Sequence, residues 1–100
     1  MKLSEAIRIG KEGMEQWDTM LFDNKKNPKA CCALGAAYLG WCKVTGEKFD
    51  LRITSTDVID KFKFEMGENP YEKGWQITRW NDDDNLSFDE IIVKLEEMGL

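Results

Sequence analysis

Hydrophobic and polar positions in the first half of the chain follow the spacing of two helices. From Leu3 to Trp17, apolar and small residues recur every three or four positions, which predicts an amphipathic helix over roughly 4–18 with Ser4 as its N-cap. Ala30–Val44 leaves no polar face, so we expect a helix that the other helices surround. The preceding Asn27-Pro28 pair reads as the N-cap and first helical position of this central helix.

Both of these predicted helices carry a stripe of small residues. Because glycine and alanine leave room for a neighbouring backbone, the two stripes favour packing at an unusually short distance between the helix axes. The small residues are Ala6, Gly10 and Gly13 in the first helix, and Ala33, Ala37 and Gly40 in the second.

The middle of the chain contains a third helix between two segments whose patterns fit more than one element. Residues 49–53 alternate between apolar and polar, which is typical of a short strand or an extended connection. Thr54 or Ser55 then caps a helix that runs to about Glu65. Residues 75–79 either pair with 49–53 as a two-stranded sheet or form a helix, and we favour the helix.

The last helix has the clearest signals. Ser87 and Glu90 form a capping box, and Leu86 before it can pack on Ile91. The sequence therefore predicts a mainly α fold. We expect residues 1–100 to form a single domain, a compact bundle of four to five helices around the central helix 30–44. The predicted buried face of the last helix consists of Phe88, Ile91, Ile92, Leu95 and Met98, and Gly99 ends it.

The composition removes several kinds of active site. The 100 residues include no histidine and three cysteines, so Ser-His-Asp systems, Cys-His systems and zinc sites with a histidine ligand are excluded. We therefore predict a protein that is not an enzyme. An enzyme that uses paired carboxylates, or a reactive Cys31 or Cys32 in the first turn of the second helix, remains the alternative. For both cysteines we favour inert packing in the core.

Negative charge is concentrated near the end of the chain. The net charge is −5, yet residues 81–100 alone carry seven acidic and one basic side chain. No segment offers the basic face that direct nucleic-acid or anionic-membrane binding needs. The start of the chain lacks the pattern of a signal peptide, and the longest uncharged run, 30–42, is too short to span a membrane. The odd number of cysteines fits a reducing compartment, so we predict a cytoplasmic location.

Three stretches resemble a family of small uncharacterised bacterial and phage proteins. They are LSEAIRIG at 3–10, CALGAA at 32–37, and the Ile77-x-x-Trp80-Asn81-Asp82 segment with the following Ser87-x-x-Glu90-Ile91-Ile92. The resemblance implies a compact intracellular protein without an established activity, in which Asn81-Asp82 is the matched polar pair. Some of these relatives carry a C-P-x-C pair and a later histidine that look like a metal site. This chain has neither, so the resemblance implies no metal and no cofactor.

The charge distribution leads to a prediction of function. We expect a small interaction protein that binds a protein partner with a basic surface, and its sharper form is a phage-type inhibitor that covers a nucleic-acid-binding surface. A structural homodimer joined through the small-residue faces is a further alternative, and Asn81-Asp82 can instead serve the backbone at a helix entry. The predicted partner-binding residues are Arg79, Trp80, Asn81, Asp82, Asp83, Asp84, Asp89 and Glu90.

Four tryptophans in 100 residues are many, and we expect each one singly to lie in the core. The expectation is strongest for Trp41 because it falls within the apolar central helix. Trp75 and Trp80 flank Arg79 beside the acidic run, an arrangement that is also typical of protein interfaces.

Overall fold

The computed structural model describes residues 1–18, 20–24, 26–50 and 52–100 of the chain. Within these ranges the order is α1 (Leu3–Gly10), β1 (Glu15–Gln16), β2 (Ala30–Cys31), α2 (Ala33–Thr45), α3 (Ser55–Met66), α4 (Pro70–Asp82) and α5 (Phe88–Glu97). Helix α2 packs against α1, α3 and α4, while α5 contacts α1 and α4. The mainly helical fold with a central apolar helix is confirmed.

Helices α1 and α2 touch through their backbones. A Cβ atom added to Gly10 would lie 1.7 Å from the carbonyl oxygen of Ala36, and one added to Gly40 would lie 1.9 Å from the carbonyl oxygen of Ala6. The predicted short separation is therefore present. These two small-residue faces cover each other within one chain, so they do not offer the surface on which the homodimer alternative depended.

Helix α1 is shorter than predicted. It ends at Gly10, and Gly13 takes φ +74°, a left-handed conformation that breaks the helical path. The N-cap is Lys2, so the prediction of Ser4 as N-cap is wrong. Ser4 is instead buried, and its N–H donates to the carbonyl oxygen of Leu100 at 3.2 Å, which ties the start of α1 to the residues after α5.

The predicted start of the central helix is also wrong. Ala30–Cys31 forms β2, which pairs in parallel with β1, so that Glu15 faces Ala30 and Gln16 faces Cys31. These ladder bonds fix the backbone in an extended form up to the N-cap of α2, which is Cys32 rather than Asn27. At the other end α2 finishes at Thr45, and Gly46 follows as its C-cap with φ 78°.

The β pairing of 49–53 with 75–79 does not occur. Residues 75–79 lie inside α4, which begins at Pro70, a residue that has no N–H group to satisfy at this position. Leu51 lies outside the described residues, and the described remainder of 49–53 forms no strand. The favoured interpretation of 75–79 as helix is confirmed.

Helices α3 and α5 follow the prediction closely. Thr54 caps α3 through a capping box with Asp57, and Ser87 caps α5 through one with Glu90. One assignment is wrong, because Met98 lies beyond the end of α5 and is 48% exposed. The buried residues of these two helices are Val58, Ile59, Phe62, Met66, Phe88, Ile91, Ile92 and Leu95.

The tryptophans divide between the core and the surface. Trp41 and Trp80 are half-buried and pack against the core, and the Trp41 ring lies 5.4 Å from that of Phe62. Trp17 is 43% exposed and Trp75 is 69% exposed, so the prediction of core packing is wrong for these two. Trp75 falls on the side of α4 opposite its buried residues because of the helical period.

Candidate functional site

The eight residues predicted to bind a partner lie where α4 ends and α5 begins. Arg79, Trp80, Asn81 and Asp82 occupy the last turn of α4, Asp83 and Asp84 follow it, and Asp89 and Glu90 belong to the first turn of α5. Their side chains do not form one surface. They divide into a buried amide, a half-buried ring, two residues committed to the start of α5, and a group of charges around an open groove.

Asn81 is buried and its side chain joins three segments of the chain. Its Oδ1 accepts hydrogen bonds from Gln16 Nε2 at 2.8 Å and from the backbone N–H of Ala33 at 3.1 Å. Its Nδ2 donates to the carbonyl oxygen of Trp17 at 2.7 Å and to Asp82 Oδ1 at 2.8 Å. Because an amide has two acceptor and two donor positions, Asn81 has none left for a partner, and we assign it to the interior.

This arrangement corrects the interpretation of Asn81 as a residue serving the entry of α5. Its Oδ1 instead satisfies the N–H of Ala33, the first residue of α2, one of the N–H groups that lack a partner within a helix. The Cys32 sulfur accepts from the N–H of Gly35 at 3.4 Å and caps the same end. Asn81 thus holds the end of α4 against the start of the central helix, while Asp82 only accepts a hydrogen bond from the Asn81 Nδ2.

Gln16 is a residue of this network that sequence reasoning missed. Its Nε2 donates to Asn81 Oδ1 and to the carbonyl oxygen of Leu86 at 2.7 Å, and its Oε1 accepts from the N–H of Phe88 at 2.9 Å. Gln16 therefore caps α5 from a distant strand. The sequence carries no signal for this role, because a glutamine within the predicted helix 4–18 reads as a solvent-facing residue.

A groove of about 320 Å³ opens beside this network, with Gln16, Trp17, Asp18 and Asn81 among its lining residues. All four hydrogen-bonding positions of the Asn81 amide and both N–H groups of the Gln16 amide are used inside the protein, so neither amide can donate a hydrogen bond to a ligand in this groove.

Three further predicted residues belong to α5 or contact it. The Nζ of Lys94 lies 5.6 Å from the centre of the half-buried Trp80 ring, in the range of a cation–π contact. Glu90 Oε1 accepts from the N–H of Ser87 within the capping box. Asp89 Oδ1 lies 3.6 Å from Lys11 Nζ and remains 81% exposed. Asp89 and Glu90 line a shallow groove on α5 that shares no lining residue with the groove on α4.

The remaining predicted residues gather around the exposed face of α4. Trp75, Thr78, Arg79, Asp82 and Asp83 line a groove of about 230 Å³, which we call the acidic groove. Trp75 supplies an exposed indole at one end, and the two carboxylates lie at the other. Asp84 is exposed directly after them.

The position of these carboxylates at the end of α4 is electrostatically unfavourable. Asp82 is the last residue of the helix and Asp83 is its C-cap. The carbonyl end of a helix carries a partial negative charge, so acidic side chains are repelled there and cations are attracted. The partial negative charge of the backbone therefore adds to the charge of these two carboxylates, while Arg79 in the same turn offsets part of it.

The surroundings of the three cysteines do not favour the thiol-enzyme alternative. Burial raises the pKa of Cys31 to about 12 and that of Cys32 to about 11, and burial also raises the pKa of the half-buried Cys42. A nucleophilic cysteine needs a lowered pKa, because the thiolate is the reactive form. Cys31 lies in β2 rather than in the first turn of a helix, so the expected dipole effect is also missing.

Within residues 1–18, 20–24, 26–50 and 52–100, no group of three or more Cys, Asp or Glu side chains is arranged to hold a metal ion. Over the same residues, no helix combines the length and the apolar character needed to cross a bilayer.

A comparison with protein-family models finds no match, and comparisons with curated proteins and with solved structures find no similar chain.

Proposed function

We propose that this protein is a non-enzymatic interaction protein that binds a partner protein with a basic surface through the acidic groove. The observation that carries the proposal is Trp75, an indole that is 69% exposed beside Arg79, Asp82 and Asp83. Exposed tryptophan and arginine are the side chains that most often supply binding energy at protein interfaces. The phage-type inhibitor of a nucleic-acid-binding protein would be one member of this class.

The charges around the groove favour a cationic partner. Asp82 and Asp83 meet the negative end of the α4 dipole, which is a cost that a cation above them would offset. Complementary charge raises the rate of association and selects among partners. Of the eight residues predicted from the sequence, the proposal keeps Arg79 and the three aspartates 82–84. It adds Trp75 and leaves out the other four predicted residues, which are Trp80, Asn81, Asp89 and Glu90.

The proposal can be tested by crosslinking at defined positions. A photoreactive amino acid at Thr78, which lines the acidic groove, should crosslink one protein in a lysate of the source organism or its host. The same amino acid at Val44, which is 56% exposed near the end of α2, is the control and should not crosslink it. We expect the crosslink to weaken from about 50 mM to about 500 mM salt, since screening reduces attraction between exposed charges.

Two variants identify the groups responsible. Asp82→Asn with Asp83→Asn should remove the Thr78 crosslink, whereas Glu12→Gln, which neutralises an exposed carboxylate on another surface, should leave it in place. A captured protein without a Lys- or Arg-rich surface, or a crosslink that survives the double variant, would overturn the proposal. Cys31 and Cys32 are both buried, so inert thiols at these positions should not react with an alkylating reagent. Alkylation of either one in the native protein at neutral pH would instead support the thiol-enzyme alternative.

A further inference from the structure

Aromatic side chains lie exposed on the outer side of the hairpin formed by α3 and α4. Phe64 is 91% exposed, and Tyr71 and Trp75 are 39% and 69% exposed. Residues four apart on a helix are surface neighbours, so Phe64 lies beside Asp60, and Trp75 lies beside Tyr71. The Tyr71 hydroxyl donates to Asp60 Oδ1 and joins the two pairs. We call these four residues the aromatic surface.

The exposure of Phe64 follows from the packing of α3. Val58, Ile59, Phe62 and Met66 form the buried face of this helix, and Phe64 projects from the other side. The inner side of the hairpin is closely packed, since a Cβ added to Gly74 would lie 2.3 Å from Ile59 Cδ1. Phe64 therefore has no place in the core, and its ring remains available for contact.

The aromatic surface continues into the acidic groove, because Trp75 belongs to both. From Tyr71 to Asp83 the helix rises about 18 Å at 1.5 Å per residue. The hairpin segment 55–84 contains eight acidic and four basic side chains. The face therefore carries the exposed rings of Phe64, Tyr71 and Trp75 towards one end and the carboxylates of Asp82 and Asp83 at the other, over about three helical turns.

We propose that the aromatic surface and the acidic groove together bind an amphipathic helix of a partner protein. Its apolar residues cover Phe64 and Trp75, and its lysines or arginines lie above Asp82 and Asp83. An α-helix laid along a helical hairpin buries an apolar stripe in this manner. This inference rests on the proposed function and adds the kind of partner segment that is recognised.

Charge favours a cationic helix over two other possible partners of this surface, a second copy of the chain and an anionic membrane. A second copy of the chain would bring another hairpin with the same excess of acidic residues, and like charges across an interface are unfavourable. An anionic membrane would meet the same repulsion, since helices that lie on such membranes carry a basic polar face. A cationic helix satisfies the apolar and the acidic ends together.

A synthetic peptide tests the inference before any natural partner is identified. The probe is a fluorescein-labelled peptide of about 14 residues made of Leu and Lys, with Leu at helical spacing so that one face is apolar. A permuted peptide of the same composition, whose leucines fall on all faces, is the control. Binding is measured by fluorescence anisotropy, and amide NMR shifts locate it on the protein.

The variants distinguish this inference from the proposed function. Phe64→Ser should weaken binding of the amphipathic peptide about tenfold and change binding of the permuted peptide by less than about twofold. Val93→Ser, on an exposed position of α5, is the matched control and should leave both affinities within about twofold. Both serine variants should keep the wild-type fold, because their sites are exposed.

Other results in these binding measurements would overturn the inference. Unchanged affinity in Phe64→Ser, together with a loss in the Asp82→Asn and Asp83→Asn double variant, would overturn this inference and leave the proposed function standing. Unchanged affinity in the double variant as well, or NMR shifts confined to α1 and α2, would count against both. Equal binding of the two peptides by wild-type protein would also overturn the amphipathic helix.

Discussion

The amide of Asn81 offers two lone pairs and two N–H groups, and all four are used inside the molecule. This single side chain connects the end of α4 with the start of α2 and with the residues around β1. Its removal would leave a buried N–H at Ala33 and a carbonyl oxygen at Trp17 without these partners.

Asn81→Ala should lower the free energy of unfolding by about 2–4 kcal/mol, since buried polar groups that lose their partners retain the full cost of desolvation. The measurement is urea denaturation followed by circular dichroism. Asn27→Ala, at an exposed position, is the control and should change the value by less than about 0.5 kcal/mol. Equal effects in the two variants would contradict the structural role assigned to Asn81.

Residue roles could be predicted from the sequence where both partners are close in the chain. Ser87 and Glu90, like Thr54 and Asp57, bond across three residues, so the pattern contains the whole interaction. Gln16 and Asn81 are 65 positions apart, and nothing near either of them indicates the other. Because Asn81 is polar, the sequence favours a role in binding a partner protein. Its burial depends on the distant Gln16, which no nearby residue indicates.

At the scale of the element, α4 and α5 place their acidic residues at opposite electrostatic ends. Asp83 lies at the C-cap of α4, where the helix dipole repels a carboxylate. Asp89 lies in the first turn of α5, where the dipole attracts one. The same residue type is therefore unfavourable in one position and favourable in the other.

Asp83→Asn should raise the free energy of unfolding by about 0.5 kcal/mol, and Asp89→Asn should lower it by about the same amount. Asp89→Asn also weakens the contact with Lys11, which acts in the same direction. The two changes are isosteric and serve as controls for each other in urea denaturation at low and high salt. A loss of stability in Asp83→Asn would show that its carboxylate contributes to the fold rather than to a binding surface.

Prediction of whole elements succeeded where one hydrophobic face determines the helix. The buried residues of α3 follow the helical period, so that helix could be identified from its pattern. The parallel pairing of β1 with β2 could not, because each strand has two residues and a pattern that short has no measurable period. That pairing is also what delays the start of α2 to Ala33.

At the scale of the whole molecule, the buried thiols make the free energy of unfolding depend on pH in the alkaline range. The ordinary pKa of a cysteine is 9.0, and burial raises it to about 12 in Cys31 and about 11 in Cys32. Above pH 9 the unfolded chain therefore loses protons that the folded chain retains. The free energy of unfolding is at its full value below pH 9 and falls as the pH rises towards the folded pKa values.

We expect a loss of roughly 2–3 kcal/mol between about pH 8 and about pH 10, measured by urea denaturation. Cys31→Ala should show a smaller loss over the same interval, whatever its stability at pH 8. Thiolate absorbance that rises near pH 9 in a folded Cys42→Ala variant, which lacks the half-buried third thiol, would contradict the expectation, because it would show that Cys31 and Cys32 ionise without unfolding.

The contact between α1 and α2 has a consequence for conformational entropy. Gly10 and Gly40 bring two backbones together, and neither glycine nor alanine has side-chain rotamers to lose when it is buried. The backbone contact itself therefore orders no side-chain rotamers, whereas the packing of α3 against the core must fix Phe62, Ile59 and Met66. Rotamer entropy thus opposes folding at the inner side of α3 but not at the α1–α2 backbone contact, although both are closely packed.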